Sequence, residues 1–209
     1  MNKKTLVVAI ALVAQVAAIS WLIWRYERVV SQGTEVRFAC QAYDPYDPLR
    51  GRYLRTSVRE DCTNMAFQVC ETNRYEFHDK LFARLEPNDA NGLWRVAEVA
   101  LEPGIEGLWV RPKGSCIERR LGWSDRGKDE KWEDFNERQE KSGLKAVVTF
   151  PDQLFINEKL APEAEKVLRK HAGTSAVAVF RVLDGEMVLT DIEISGRPIV
   201  ETAKAEVAR

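Results

Sequence analysis

Hydrophobic positions follow two different patterns along the chain. Residues 5–24 form an apolar run without a single charged residue. A helix of 20 such residues is about 30 Å long, which matches the hydrocarbon thickness of a bilayer. After this run, hydrophobic and polar residues mostly alternate, which is typical of strands with one buried face. The sequence therefore predicts a transmembrane helix followed by a β-rich domain.

The residues that flank the apolar run favour an uncleaved membrane anchor. Lys3 and Lys4 precede it, and three aromatic residues of the kind that prefers the membrane–water interface follow its centre: Trp21, Trp24 and Tyr26. The alternative is a signal peptide cleaved after the small residues 16–18. The apolar run continues past that point, however, and is longer than the usual signal-peptide core of about 7–15 residues.

Strand patterns begin soon after the anchor. The residues predicted to share the buried face of the strand 34–42 are Val36, Phe38, Cys40 and Ala42. Residues 54–58 alternate in the same way and predict the next strand, whereas residues 61–78 have no clear period and are interpreted as an irregular insertion. Weaker strand patterns cover three further segments: 107–111, 116–121 and 145–150.

Two β-hairpins and two helices complete the predicted elements. The first hairpin joins 80–86 to 93–101 through an Asn-Gly turn, and the second joins 176–183 to 186–194 through an Asp-Gly turn of type I′. Two further segments have helical character: residues 126–141, which end near a glycine, and residues 162–172, which have Pro162 at the first helical position.

The two hairpins resemble each other, because apolar and acidic residues recur at matching offsets in residues 92–99 and 185–192. We therefore hypothesise two related β units, although any two hairpins with period-2 patterning share such features. The fold class is mainly β (α+β), with an N-terminal transmembrane helix and one or two short helices. The predicted divisions are 1–28 for the cytoplasmic end and anchor, 29–144 and 145–200 for the β units, and 201–209 for a C-terminal tail.

The charge balance argues against one class of partner. The chain has 31 basic and 32 acidic residues, mixed along its length. Nucleic-acid binding requires a strong positive field, which such a balance does not provide. We therefore expect no nucleic-acid partner.

Cysteine usage decides the predicted membrane orientation, because the flanking charges alone are nearly balanced. All four cysteines follow the anchor: Cys40, Cys62, Cys70 and Cys116. An even number without a Cys-x-x-Cys motif indicates disulfides in an oxidising compartment such as a periplasm. This predicts an N-terminus inside and a domain outside the bacterial inner membrane. Of the three possible pairings we favour Cys62–Cys70 with Cys40–Cys116; four free thiols are the alternative.

A dense group of turn-forming residues separates the first two strands. It comprises Asp44, Pro45, Asp47, Pro48, Arg50, Gly51 and Tyr53. Each proline fixes φ and biases the preceding Asp toward extended geometry, and Asp side chains accept hydrogen bonds from nearby backbone amides. Arg50 follows Asp47 by three residues, which allows a charge-assisted hydrogen bond across the bend. These residues predict a rigid corner rather than a catalytic site.

This corner resembles the hallmark motif of the GDYXXLXY family of membrane-anchored bacterial proteins. The chain departs from that motif at Arg52, Thr56 and Val58, where the family has Asp, Leu and Tyr. A second stretch also resembles the family, through Phe155, Asn157, Glu158 and Pro162. The family has no established activity, and its members are encoded beside multi-pass membrane proteins. The resemblance therefore implies an integral membrane protein as partner.

Catalytic and metal-binding patterns are weak. A metal site formed by Asp44, Asp47 and Asp152 is conceivable, but the spacing of a calcium loop is missing and turn capping is the simpler explanation. His78 and His171 have no motif around them. We therefore expect no enzyme and no cofactor. The alternatives are an anchored hydrolase with a Ser–Lys pair, for which Ser31 is the nearest serine to the anchor, and a small-ligand sensor.

Overall fold

A long helix and a β-rich domain make up the computed structural model, which describes residues 3–42, 53–65, 81–88, 92–121 and 125–207. Helix α1 covers Lys3–Gln32. Its segment Leu6–Gln32 is long and apolar enough to cross a membrane, with a mean hydropathy of 2.5, and the rest of the chain buries none of the residues in its most apolar 18-residue stretch. The sequence-based prediction of an N-terminal apolar helix followed by a β domain is therefore confirmed, and the helix extends eight residues beyond the predicted run.

Most of the described strands lie where the alternating patterns predict them, with three short additions. The described strands are β1 (Thr34–Ala39), β2 (Gln41–Ala42), β3 (Tyr53–Ser57), β4 (Arg59–Cys62), β5 (Phe82–Asn88), β6 (Leu93–Ala100), β7 (Leu108–Val110), β8 (Gly114–Arg119), β9 (Leu144–Thr149), β10 (Gln153–Phe155), β11 (Ala176–Leu183), β12 (Glu186–Ile194) and β13 (Arg197–Pro198). The helices after the anchor are α2 (Trp132–Lys141), α3 (Ala161–His171) and α4 (Ile199–Val207). Strands β4, β10 and β13 and helix α4 are not predicted from the sequence: β4 extends into the segment interpreted as an irregular insertion, and α4 covers most of the expected C-terminal tail.

Antiparallel pairing joins the strands into four small sheets, in the orders β1-β11-β12-β13, β10-β3-β2, β4-β9-β8 and β6-β5-β7. Strand β1 pairs along its whole length with β11, from Thr34 opposite Val182 to Ala39 opposite Val177. The first strand after the anchor therefore belongs to the same sheet as the last hairpin.

One hydrophobic core connects these sheets. At its centre Phe38, Phe150 and Phe180 are fully buried, with ring centroids 4.9 to 6.2 Å apart. These three residues come from β1, from the end of β9 and from β11. Aromatic clusters of this geometry add about 0.5–1.5 kcal/mol per pair beyond the effect of their buried area. The core thus combines residues from both of the predicted β units.

The two hairpins share one irregularity. In β5–β6 the register shifts after Arg84–Glu98, which leaves Ala97 without an opposite residue. In β11–β12 the register shifts after Val179–Asp191, which leaves Thr190 without one. Ala97 and Thr190 occupy matching positions in the sequence alignment of the two hairpins. This common β-bulge is compatible with two related units, and their relationship stays a prediction.

Candidate functional site

The end of helix α1 is attached to the tip of the β11–β12 hairpin by two ion pairs. The Nε of Arg25 donates a hydrogen bond to the carboxylate of Glu186 at 2.9 Å. One turn further, Arg28 pairs with Asp184 at 3.0 Å. Asp184 and Gly185 form the turn with φ values of 52° and 81°, as the predicted type I′ turn requires. We call this group of four charged residues the anchor clasp.

Close packing supports the anchor clasp from the domain side. Val29 is buried, whereas the preceding helix residues are exposed. Gly33 follows the helix, and a Cβ atom there would lie 3.0 Å from the backbone N of Val182 and well inside van der Waals contact of the Val29 carbonyl. Only glycine fits here, because both neighbours are backbone atoms. The C-terminal end of the helix therefore packs closely against β11.

Hydrogen bonds tie further elements to the same place. Arg181 on β11 donates to the carbonyl of Gly33 at 3.2 Å and to Glu35 at 3.0 Å. The backbone N–H of Arg111, directly after β7, donates to the carbonyl of Gly185 at 2.9 Å. Two of the four sheets formed by the described strands thus meet at the anchor clasp, near the C-terminal end of helix α1.

The corner residues of the first motif fall mostly outside the described part of the chain. This applies to Asp44, Pro45, Asp47, Pro48, Arg50 and Gly51, so their predicted bend and the Asp47–Arg50 hydrogen bond stay predictions. Tyr53 is the first residue of β3. Its backbone lies opposite that of Phe155 on β10, so the strand that leaves the first motif pairs with the second motif.

The second motif forms the entry to helix α3. The backbone N–H of Lys159 donates to the Asn157 side chain at 3.0 Å, and the Asn157 carbonyl accepts from the first residues of the helical segment. Pro162 lies in the first turn of the helix, as predicted. Glu158 is exposed, and 73% of Phe155 is exposed. The described contacts of Asn157 and Pro162 are those of a helix start.

Asp152 lies beside this motif and holds two cations. Its carboxylate accepts hydrogen bonds from Arg55 at 2.7 Å and from Lys113. Burial raises the pKa of Asp152, but the hydrogen bonds from Lys113 and Arg55 outweigh that effect, so its pKa is lowered. These residues line a cleft of about 320 Å³ together with Ser57.

These contacts bear on the chemistry considered from the sequence. The described residues contain no group of three side chains suited to a metal ion. The Ser31 hydroxyl donates to the carbonyl of Glu27 at 2.7 Å within helix α1. His171 lies at the end of α3 and contacts the Ser175 hydroxyl at 3.1 Å, whereas His78 lies outside the described residues. The described contacts of Ser31 and His171 are local to helix ends.

A second cleft, of about 430 Å³, contains a perturbed carboxyl group. Glu60 on β4 lies near Cys40 and Gly173 at the margin of the core. Burial, and to a lesser degree the neighbouring Asp61 carboxylate, raises the pKa of Glu60 to about 7. Glu60 therefore titrates in the neutral range. The sequence carried no signal for this, because Glu60 occupies an alternating strand position at which polar residues are ordinary.

The cysteines differ from the predicted pairing. Cys40, Cys62 and Cys116 have free thiols, and no Cys40–Cys116 bond forms. Cys40 belongs to the core, as does Ile117, whereas the alternation of β8 turns Cys116 toward the opposite face, where its thiol contacts Glu118. The two thiols thus lie on different sides of a sheet. Cys70 lies outside the described residues, but the free thiol of Cys62 shows that the predicted Cys62–Cys70 bond is not formed in this structure either.

Comparison with known proteins gives a family match. Neither the curated proteins nor the solved structures contain a match. The family model of the GDYXXLXY protein matches residues 15–192, a range that covers half of the apolar run, both motif segments, the first hairpin and all but the last two residues of the second. The chain therefore belongs to the GDYXXLXY family.

Proposed function

We propose that this protein is a single-span protein of the bacterial inner membrane whose extracytoplasmic domain binds a partner membrane protein or envelope component without catalysing a reaction. The anchor clasp is the observation that carries the proposal. A domain attached only for local concentration needs no more than a flexible linker. Here Arg25, Arg28, Val29 and Gly33 join the helix to the domain without a linker. Such an attachment fixes the orientation of the domain relative to the membrane, which is needed when one surface of the domain must contact a partner in or at the membrane.

The oxidising compartment and the N-in orientation belong to the same proposal. The cysteines all follow the anchor, which supports export of the domain to an oxidising compartment. Fusing a phosphatase that is active only outside the cytoplasm to the C-terminus tests the orientation. An inactive fusion, with an active fusion at the N-terminus, would reverse the assignment.

Affinity purification of the full-length protein from native membranes, after cross-linking and with mass spectrometry, tests the interaction. We expect a membrane or envelope protein to co-purify with the wild-type chain. Recovery of the chain alone would contradict the proposal.

A charge reversal tests whether the clasp matters. The double variant Arg25→Glu/Arg28→Glu places like charges opposite Glu186 and Asp184, and we expect it to remain in the membrane but to recover less partner. Lys141→Glu is the matched control, because it disrupts an exposed ion pair with Glu137 on helix α2. If the clasp variant and Lys141→Glu reduce recovery of the partner equally, the orientation that the clasp gives the domain does not matter for partner binding.

A further inference from the structure

The apolar part of helix α1 contains one amide side chain at its midpoint. Gln15 lies 11 residues after Lys4 and 10 residues before Arg25, or about 16 Å and about 15 Å along the helix. The side chain is far too short to reach either surface of a bilayer about 30 Å thick. Hydrocarbon offers no hydrogen-bond partner, and an unpaired amide in such surroundings is unfavourable by several kcal/mol.

The described residues of the chain leave Gln15 uncovered. Its side chain is exposed, and the whole apolar window of the helix has no burial against the domain. A polar side chain from another transmembrane helix is the remaining source of hydrogen bonds at this depth. Ala11 and Ala18 lie one turn before and one turn after Gln15 on the same face, and their small side chains allow another helix to approach closely.

The position of the domain limits which helix can occupy this face. Val29 follows Gln15 by 14 residues, which is about 3.9 helical turns, so both side chains point to the same side of α1 to within about 40°. Val29 is buried against the domain, and Gly33, about five turns after Gln15, packs on β11. The domain therefore lies beneath the side of the helix that carries Gln15.

A parallel second copy does not fit this arrangement. Its own helix would continue to Gln32, about 12 Å beyond Trp24, at an interaxial distance of about 8–10 Å. That space is occupied by the domain of the first copy, which is seated there through the β11–β12 hairpin. A partner helix that ends, or turns away from α1, at the bilayer surface can pack on the Gln15 face without meeting the domain.

We propose that the face of α1 defined by Ala11, Gln15 and Ala18 binds a transmembrane helix of a different membrane protein, which presents a polar side chain at mid-bilayer depth and ends above the domain. This inference rests on the proposed function and assigns its partner a structural class. The domain then covers the extracytoplasmic end of the partner helix. Gln15 fixes the depth at which the two helices meet, since hydrogen bonding is possible only where the two polar groups coincide.

Site-specific photo-cross-linking in native membranes tests the inference on the full-length protein. A benzophenone amino acid replaces Ala11 or Ala18 on the Gln15 face. Val13 and Ala17, two residues before and after Gln15, each point about 160° away from it, so both lie on the far face of the helix and serve as controls. We expect cross-links to another membrane protein from Ala11 and Ala18, with little from the controls. Equal cross-linking from both faces, or a product formed from two copies of this 23.8 kDa chain, would overturn the inference.

A substitution adds a quantitative readout. Gln15→Leu keeps the length and apolarity of the span but removes the amide, and we expect about three- to thirtyfold lower cross-linking from position 18, as for the loss of one interhelical hydrogen bond. Val13→Leu should leave the yield unchanged. If a partner co-purifies equally with both variants and cross-links only to the domain, the proposed function stands and this inference is wrong. If no partner is recovered from wild-type membranes, the proposed function itself is contradicted and this inference with it.

Discussion

Replacing Glu60 by Gln should make the protein more stable above neutral pH and leave it unchanged at acidic pH. In the folded protein burial and Asp61 raise the pKa of Glu60 from 4.5 to about 7. The folded state therefore binds the proton more tightly than the unfolded state. The resulting stabilisation is fully present below pH 4.5 and is lost as the pH rises through 7. Glutamine has nearly the same shape and cannot ionise, so it avoids the loss.

The size of the effect follows from the same two values. At about 1.4 kcal/mol per pH unit, the difference between 4.5 and 7 corresponds to at most about 3.4 kcal/mol. Glu60 is only half-buried, so screening by solvent reduces this to about 1–2 kcal/mol. For a protein of this size we expect Glu60→Gln to raise the Tm by about 2–8 °C at pH 8.

Thermal unfolding of the full-length protein in detergent micelles, followed by tryptophan fluorescence from pH 4.5 to 8, measures this difference. Glu137→Gln, at an exposed position on helix α2, is the control and should change the Tm by less than the test variant does at pH 8, without a comparable rise between pH 4.5 and 8. If the difference in Tm between Glu60→Gln and wild type is constant across the pH range, Glu60 does not titrate as argued.

Three further predictions concern other parts of the structure. Gly33→Ala places a methyl group against two backbone atoms and should lower the free energy of unfolding by about 1–3 kcal/mol. Gly127→Ala meets only side-chain atoms of Glu130, at 3.4 Å or more, and should lower it far less. Equal effects of the two variants in denaturant titrations would refute the tight packing of α1 against β11. Asp152→Asn should destabilise the protein at pH 7 by about 1 kcal/mol. Because the pKa of Asp152 is lowered, this difference should shrink as the pH falls below 3.8 and disappear only below the lowered pKa of the folded state; a difference that stays constant as the pH falls from 5 through the acid unfolding range would contradict the ion-pair explanation. Burial and Glu118 raise the pKa of the Cys116 thiol to about 11, so its alkylation at pH 8 should be slow until the protein unfolds; rapid labelling of Cys116 in the native protein, read by mass spectrometry, would disagree.

Local patterns predicted the elements well, because the buried face of a strand leaves a period of two in the sequence. Val36, Phe38 and Cys40 are buried as their alternation requires, and the Asp-Gly turn has the positive φ values expected of type I′. Helix α3 begins and ends within one residue of its predicted bounds. Such features depend on neighbouring residues, which a sequence displays directly.

The contacts between distant segments could not be predicted in the same way. The pairing of β1 with β11 and the contact of Arg25 with Glu186 join residues far apart in sequence, and no local period records them. Arg25 and Arg28 were interpreted only as charges at the end of an apolar run. Their spacing of three residues places them next to each other on the helix surface, where both can pair with carboxylates on a single hairpin turn. The sequence does not identify which hairpin turn that is.

The pairing of β1 with β11 also has a consequence for the order of folding. A chain synthesised from its N-terminus exposes β1 about 140 residues before the partner strand exists, which at about 5–20 residues per second is roughly 7–30 s. Throughout that interval β1 lacks its native partners. The side chains of Val36 and Phe38 are not buried, and the edge of the strand is unpaired. The domain is thus a late-closing fold, in which the central core forms only after the last hairpin is made. Nascent chains stalled before Ala176 should bind chaperones and be degraded rapidly, whereas chains that extend past Ile194 should become protease-resistant in a single step.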